Sequence, residues 1–237
     1  MEENTQTTKS ILTMPVAIII AGILIAGAVY FKGGVPNQVV DNQFKVENKK
    51  TTLKPVSADD HILGNPDAEL VVIEFSDTEC PFCKNFHQTM LQLINEYGKD
   101  GKVAWVYRHM PIEQLHSKAK KEAEATECAA KIGGKSKFWD YVNAIFEITP
   151  SNDGLDLAKL PEIATQIGLN RAEFERCLSS GEFTEKINQS IADASLAGAQ
   201  GTPYSIIVSK SGETYPVEGA IPYIALKSIV DGLLKGK

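Results

Sequence analysis

The chain has 237 residues, a formal net charge of −6 and 43% apolar residues. Its 24 Lys and Arg are spread out, with no patch that interleaves arginine and aromatics. That composition excludes a nucleic-acid-binding module and leaves length for one ordinary domain plus an accessory segment.

Residues 1–10 form a short tail, and residues 11–31 contain no charged side chain. As a helix rising ~1.5 Å per residue, the latter run spans about 30 Å, the thickness of a bilayer core. Tyr30 and Phe31 suit an aromatic interface, and Pro15 sits near the start, where a helix tolerates it. The run exceeds the ~7–15 residues of a signal-peptide core. A transmembrane anchor contacting the lipid bilayer is therefore the reading. A signal peptide cleaved near Ala26-Gly27-Ala28 is the first alternative, and a buried core helix the second.

Only Lys9 precedes the run, whereas Lys32, Lys45, Lys49 and Lys50 follow it. Taken alone, this bias places the large domain in the cytoplasm. Four cysteines suit an oxidising compartment instead. The expectation is a single-pass cell-membrane protein with its C-terminal domain on the extracytoplasmic side. Residues 32–57 carry Gly33-Gly34, Pro36 and Pro55 without apolar periodicity, which predicts a flexible linker. Residues 58–237 then form the folded domain.

Within that domain the period changes repeatedly. Residues 70–76 (LVVIEFS) predict a buried strand, 84–97 an amphipathic helix stopped by Gly98, and 102–108 a second strand. Helices follow over 115–132, 138–148, 155–167, 171–178 and 182–196, divided by Gly and Pro. Strands over 204–209 and 213–217 flank Lys210-Ser211-Gly212 as a hairpin, and a last helix covers 222–234. A β-α-β unit, then helices, then a hairpin and helix make an α/β layered domain with a helical insertion at about 113–198.

Chemistry concentrates at Cys80-Pro81-Phe82-Cys83, between the first strand and its helix. Pro81 suits the first helical position. A sulfur at a helix N-terminus is stabilised as thiolate by amide groups and the macrodipole. Such a thiolate attacks disulfides, and the neighbouring thiol resolves the mixed disulfide. A zinc site is the alternative for a CxxC pair, but zinc needs four ligands, usually as two close pairs. Cys128 and Cys177 are single and far apart in sequence. Four cysteines allow three pairings. The local motif favours 80–83 with 128–177, and two free buried thiols are the alternative.

Glu74-Phe75-Ser76-Asp77, then Cys80-Pro81-Phe82-Cys83, then Gly201-Thr202-Pro203 before a strand resembles the DsbA-like branch of the thioredoxin superfamily. The resemblance runs from about residue 61 to 237, including the lead-in Ile62-Leu63-Gly64-Asn65-Pro66. It implies a thioredoxin fold, a central mixed sheet with flanking helices and an inserted all-helical subdomain. It also implies thiol–disulfide exchange on exported proteins without a cofactor or metal, and recycling by a membrane redox partner. A monomer is the default.

By the same resemblance Cys80 attacks, Cys83 resolves, and Glu74 is a buried acid that relays a proton. Thr202-Pro203 is a cis bond whose backbone, with Pro81 and Phe82, meets substrate, and Cys128–Cys177 is a structural disulfide. Phe82 replaces the His of the family's strongest oxidants, so a less depressed Cys80 pKa and a less oxidising pair are expected. Thr202 departs from the Val of some oxidases; a disulfide-forming oxidase is the reading, with a reductase or isomerase as the alternative and a non-catalytic scaffold with structural or zinc-binding cysteines as the rival of another class. Asp77 reads as a turn or capping residue. His87 reads as a solvated side chain, with tuning of the thiols as the alternative. Arg108 and His109 read as neighbours of Glu74 or the site's rim, and Trp105 and Trp139 as core.

Overall fold

The computed structural model describes residues 46–236. The predicted anchor over 11–31 and the first part of the predicted linker lie outside the described residues. Among the described residues no helix is long and apolar enough to cross a membrane.

Two short buried runs build the centre. β2 (Leu70–Ser76) and β3 (Val103–His109) pair in parallel, joined by α1 (Pro81–Tyr97). The short β1 (His61–Leu63) adds antiparallel to β3. On the other side β4 (Tyr204–Ser209) and β5 (Thr214–Glu218) complete a five-stranded mixed sheet in the order β1-β3-β2-β4-β5. β1 is absent from the sequence expectation because three residues carry too little periodicity to register. Its exit needs Gly64: φ is +104°, and a Cβ there would lie 3.1 Å from the Val103 carbonyl oxygen.

The period of two sorts the side chains between the faces. Leu70, Val72, Val103 and Trp105 pack with Phe86, Met90 and Leu93 of α1, Phe138, Trp139 and Val142 of α3 (Lys135–Ile148), and Leu226 and Ile229 of α7 (Tyr223–Lys235). Ile73, Phe75, Val106 and Ile206 pack on the opposite face with Ala194 of α6 (Thr184–Leu196). Glu74 shares parity with Leu70 and Val72 and so faces α1, towards the cysteines.

The chain between β3 and β4 is helical: α2 (Ala119–Gly133), α3, α4 (Leu160–Gln166), α5 (Arg171–Ser180) and α6. The helix expected over 155–167 is shorter, because Asp156 caps a 3-10 turn at Leu157–Lys159 before Pro161 opens α4. These helices own a second core in which Tyr141, Ile145, Ile163 and Phe174 surround Cys128 and Cys177. Glu127 on α2 joins the insertion to the sheet. It bonds His61 of β1 at 2.9 Å and His109 of β3 at 3.0 Å, and Lys186 of α6 donates to it at 2.7 Å. His109 therefore belongs to this junction and not to the Glu74 neighbourhood. Arg108 pairs with Asp60 at 2.9 Å and lies over the Phe75 ring, on the sheet face opposite Glu74.

Residues 46–57, assigned by composition to the linker, lie against the domain. Lys49 exchanges hydrogen bonds with Thr214 on the outer edge of β5, and the Lys54 and Pro55 carbonyls accept from Arg108. Leu53 packs on the core beneath α6.

Cys128 and Cys177 form a disulfide with a Cα–Cα distance of 5.8 Å and a sequence separation of 49. Closing a loop of that length in the unfolded chain adds about 4 kcal/mol in the chain-entropy model. Replacing both cysteines with alanine is expected to lower unfolding free energy by about that amount in urea titrations, and no loss would show the bridge to be neutral.

Candidate active site

The site begins with the first turn of α1. Cys80 is the N-cap residue, with φ −77° and ψ 121°, and Pro81 opens the helix. Proline suits this place because its missing N–H would be unsatisfied there anyway. No acidic residue occupies the first helical turn, so nothing competes with the sulfur for the positive end of the helix. Phe82 is 63% exposed beside it. Both cysteines are free thiols, and Cys80 is 5% exposed against 0% for Cys83.

The two sulfurs share a turn but not an environment. The Cys83 thiol hydrogen-bonds to the Cys80 sulfur. The backbone N–H groups of Cys83 and Phe82 and the Thr202 hydroxyl add to this, outweigh burial, and bring the Cys80 pKa down to about 6. Burial pushes Cys83 the other way, well above its ordinary value, and the negative Cys80 sulfur adds to the rise. The Asp77 N–H donates to the Cys83 sulfur at 3.4 Å.

The Thr202-Pro203 loop faces this turn across the sheet end. Its peptide bond is cis. The Cys80 thiol donates to the Thr202 carbonyl at 3.5 Å, and the Thr202 hydroxyl otherwise lacks a hydrogen-bond partner. Thr202 thus offers an acceptor to the thiol and a donor to the thiolate, a use of threonine that valine cannot supply.

Glu74 lies fully buried beneath the pair. Burial raises its pKa to about 7, partly opposed by Ser76 and the Trp105 indole, and the Cys80 charge raises it further. Its register partners, Tyr107 on β3 and Ser205 on β4, are also buried and polar. A carboxyl poised near neutrality under a thiol of raised pKa is suited to exchanging a proton with it.

Two acids just before Cys80 tie the thiol loop to the insertion. Asp77 accepts from the Glu79 N–H at 2.9 Å and the Ile112 N–H at 2.8 Å, and bonds His116 Nδ1 at 2.9 Å. It is a turn residue that also fastens the loop after β3. Burial works against the charge on His116, but Asp77 holds its pKa above the ordinary value. Glu79 accepts from the Thr149 hydroxyl at 3.1 Å and from the N–H groups of Gly154 and Leu155 at 3.1 and 3.2 Å.

These bonds hold Ser151, Asn152 and Asp153 in the left-handed region at φ 66°, 55° and 62°. Each such residue costs roughly 1–2 kcal/mol. Asp153 offsets this by accepting from the Ser117 and Lys118 N–H groups at 3.0 and 2.9 Å, and Asn152 by donating to the Glu79 carbonyl at 2.8 Å.

Sequence reasoning missed His116, Glu79, Glu122 and this turn. A charged residue on an Ala-rich helix carries no mark of burial. His87, read as solvated, is buried against Trp105 and Phe146 and bonded to Asn143 at 2.7 Å. Burial drives its pKa down to about 4, because four residues after Cys83 on α1 it shares the inner stripe. Trp105 and Trp139 are core, with ring centroids 4.6 Å apart.

A family model described as Thioredoxin matches residues 57–231. The chain belongs to this family. Its fold is the DsbA-like thioredoxin fold. Among solved structures it is similar to Pseudomonas aeruginosa DsbA2, at 28% identity and TM-score 0.63, covering 77% of this chain and 98% of that one. It shares its fold with oxidised BdbD of Bacillus subtilis, at 21% identity and TM-score 0.68, covering 80% and 100%.

Among curated proteins it is 30% identical over 154 residues to the Na(+)/H(+) antiporter NhaA 1 of Mycolicibacterium vanbaalenii, covering 64% of this chain and 24% of that protein. Over 150 residues it is 31% identical to NhaA 3 of Salinispora tropica, covering 63% and 22%. The chain spans about a quarter of the length of these relatives.

Two predictions rest on this site. Because the Cys83 thiol is the first cause of the low Cys80 pKa, Cys83→Ala is expected to move the 240 nm thiolate titration of Cys80 upward from about 6. An unmoved titration would assign the thiolate to the helix terminus alone.

Glu122 is fully buried, and the Thr78 hydroxyl only partly offsets the cost of charging it there. Burial, then the facing Glu79 carboxyl, raises its pKa from 4.5 to about 9. A folded pKa above the unfolded one contributes stability that is complete below pH 4.5 and declines as pH rises through 9. Glu122→Gln removes that titration. Its melting temperature is expected to overtake the parent's as pH climbs, by roughly 5 °C at pH 8, with no such crossover if Glu122 ionises normally.

Proposed function

We propose that the chain is a membrane-tethered, extracytoplasmic enzyme that forms disulfides in exported proteins through Cys80 and Cys83. The observation that carries the reading is the Cys80 sulfur, with its pKa brought to about 6, resting 3.5 Å from the Thr202 carbonyl beside a cis proline.

In the oxidised enzyme the two sulfurs are joined. A substrate thiolate attacks Cys80, forming a mixed disulfide while the electron pair of the broken bond leaves on Cys83. Cys83, whose pKa is high, takes a proton, for which Glu74 beneath it is the donor. A second substrate thiolate then attacks the substrate sulfur of the mixed disulfide and expels Cys80. The low pKa of Cys80 makes it the good leaving group. Substrate loses two electrons and gains a disulfide, and the enzyme is left reduced for reoxidation by a membrane redox partner. Because the reduced state holds a stabilised thiolate, the pair readily accepts electrons and so oxidises its substrates.

During this exchange the Thr202 backbone pairs with an extended substrate segment. Exposed Phe82 and Pro81 provide the apolar shoulder. Cys128 and Cys177 take no part, being already joined. The charge-free run over residues 11–31 is the tether that keeps the domain at the membrane surface.

The test is refolding of a reduced, scrambled substrate together with a glutathione titration. The wild type is expected to restore native disulfides, at a potential less oxidising than that of Cys-Pro-His-Cys enzymes, and Cys80→Ser to lose all exchange. Insulin reduction without refolding activity would reverse the direction of transfer. Exchange surviving Cys80→Ser would remove the assignment altogether.

A further inference from the structure

A cavity of about 210 Å³ opens at the Thr202-Pro203 loop. Gly198, Gly201 and Gly219 form much of its wall, with Tyr204 and Glu218 between them. The space is real room: a Cβ built at Gly201 or Gly219 meets nothing within 4 Å. Its volume falls below the ~300–1,000 Å³ of sites for free small molecules, so it suits a single side chain of a bound polypeptide. Thr202 lines this cavity, and its carbonyl accepts from the Cys80 thiol.

The wall has one formal charge. Glu218 ends β5 directly opposite Tyr204 on β4, is exposed, and has no ion pair or side-chain hydrogen bond among the described residues. The Tyr204 hydroxyl is spent on the Ala197 carbonyl at 3.1 Å, so the tyrosine adds no free donor to the cavity it lines. Burial, then the Glu218 charge, holds the Tyr204 phenol above its ordinary pKa, as expected for a carboxylate close to the ring. An unpaired carboxylate on the wall of a small cavity, with a tyrosine in the same wall and no cation among its lining residues, is the chemistry of cation recognition.

We propose that this cavity receives a lysine or arginine side chain of the substrate, so that the enzyme favours cysteines with a basic residue within two positions. The inference rests on the reading of the Thr202 loop as the contact for a substrate strand. Glu218 is then a specificity-determining residue. It selects among substrates without touching the sulfurs.

The experiment uses the full chain and three matched dithiol peptides that differ only in the residue beside one cysteine: lysine, alanine or glutamate. Each is oxidised with glutathione disulfide as the terminal oxidant, and kcat/KM is compared. The wild type is expected to prefer the lysine peptide over the alanine one by about five-fold, the scale of an exposed ion pair joined to a ring contact. The glutamate peptide should fall below both.

Glu218→Gln should erase the preference and Glu218→Lys invert it, and added salt should shrink it. Equal kcat/KM for all three peptides in the wild type, or a lysine preference that survives Glu218→Gln, overturns the inference and leaves the redox reading standing. Failure of the wild type to oxidise any of the peptides overturns the redox reading and the inference with it.

Discussion

A single sulfur at the mouth of α1 collects its stabilisation from several directions. A neighbouring S–H, two backbone N–H groups and the Thr202 hydroxyl all point at Cys80, and no carboxylate shares the helix end. Hydrogen bonds to an ionised acceptor are stronger than those to a neutral one, so this arrangement favours the thiolate over the thiol. Three residues further on, burial produces the opposite result at Cys83. The asymmetry between two chemically identical side chains sets one up as a thiolate and the other as a thiol that holds its proton, and Glu74 lies beneath the pair at an intermediate pKa.

Holding that turn still requires the inserted helices. Asp77 and Glu79 fasten the loop before Cys80 to two different stretches of the insertion, the segment after β3 and the left-handed turn after α3. Both attachments carry costs: residues in a strained backbone region, and a second buried carboxyl at Glu122 facing Glu79. Strain and buried carboxyls of this kind persist only where surrounding structure over-determines them. Here the helical core around the Cys128–Cys177 bridge, and the Glu127 junction between sheet and helices, supply that surrounding structure. The insertion therefore does more than cover the sheet, since it sets the position of the thiol loop.

The periodic segments were legible because their pattern is local. Residues 70–76 and 204–209 are short apolar runs rich in β-branched residues, as a buried strand requires, and they coincide with β2 and β4. Gly and Pro divided the helices within a few residues of their ends, although α3 starts three residues earlier than expected, directly after Gly134. The short β1 and the docking of residues 46–57 escaped, since neither has a period. His87 was misjudged because a lone histidine looks the same on either face of a helix until its neighbours, Trp105 and Phe146, are in place.

By itself the amino-acid order determined that two thiols would stand at a helix N-terminus after a buried strand, with a proline loop before a later strand. Those facts depend on neighbours within a few residues. Tertiary structure alone decided that Thr202 would reach Cys80 across 122 positions, that Glu122 would face Glu79, and that Glu218 would sit beside an open cavity next to the thiols. Burial and long-range charge set the pKa values at this site. Both are properties of the packed assembly of strands and helices, to which no single segment of the chain has access.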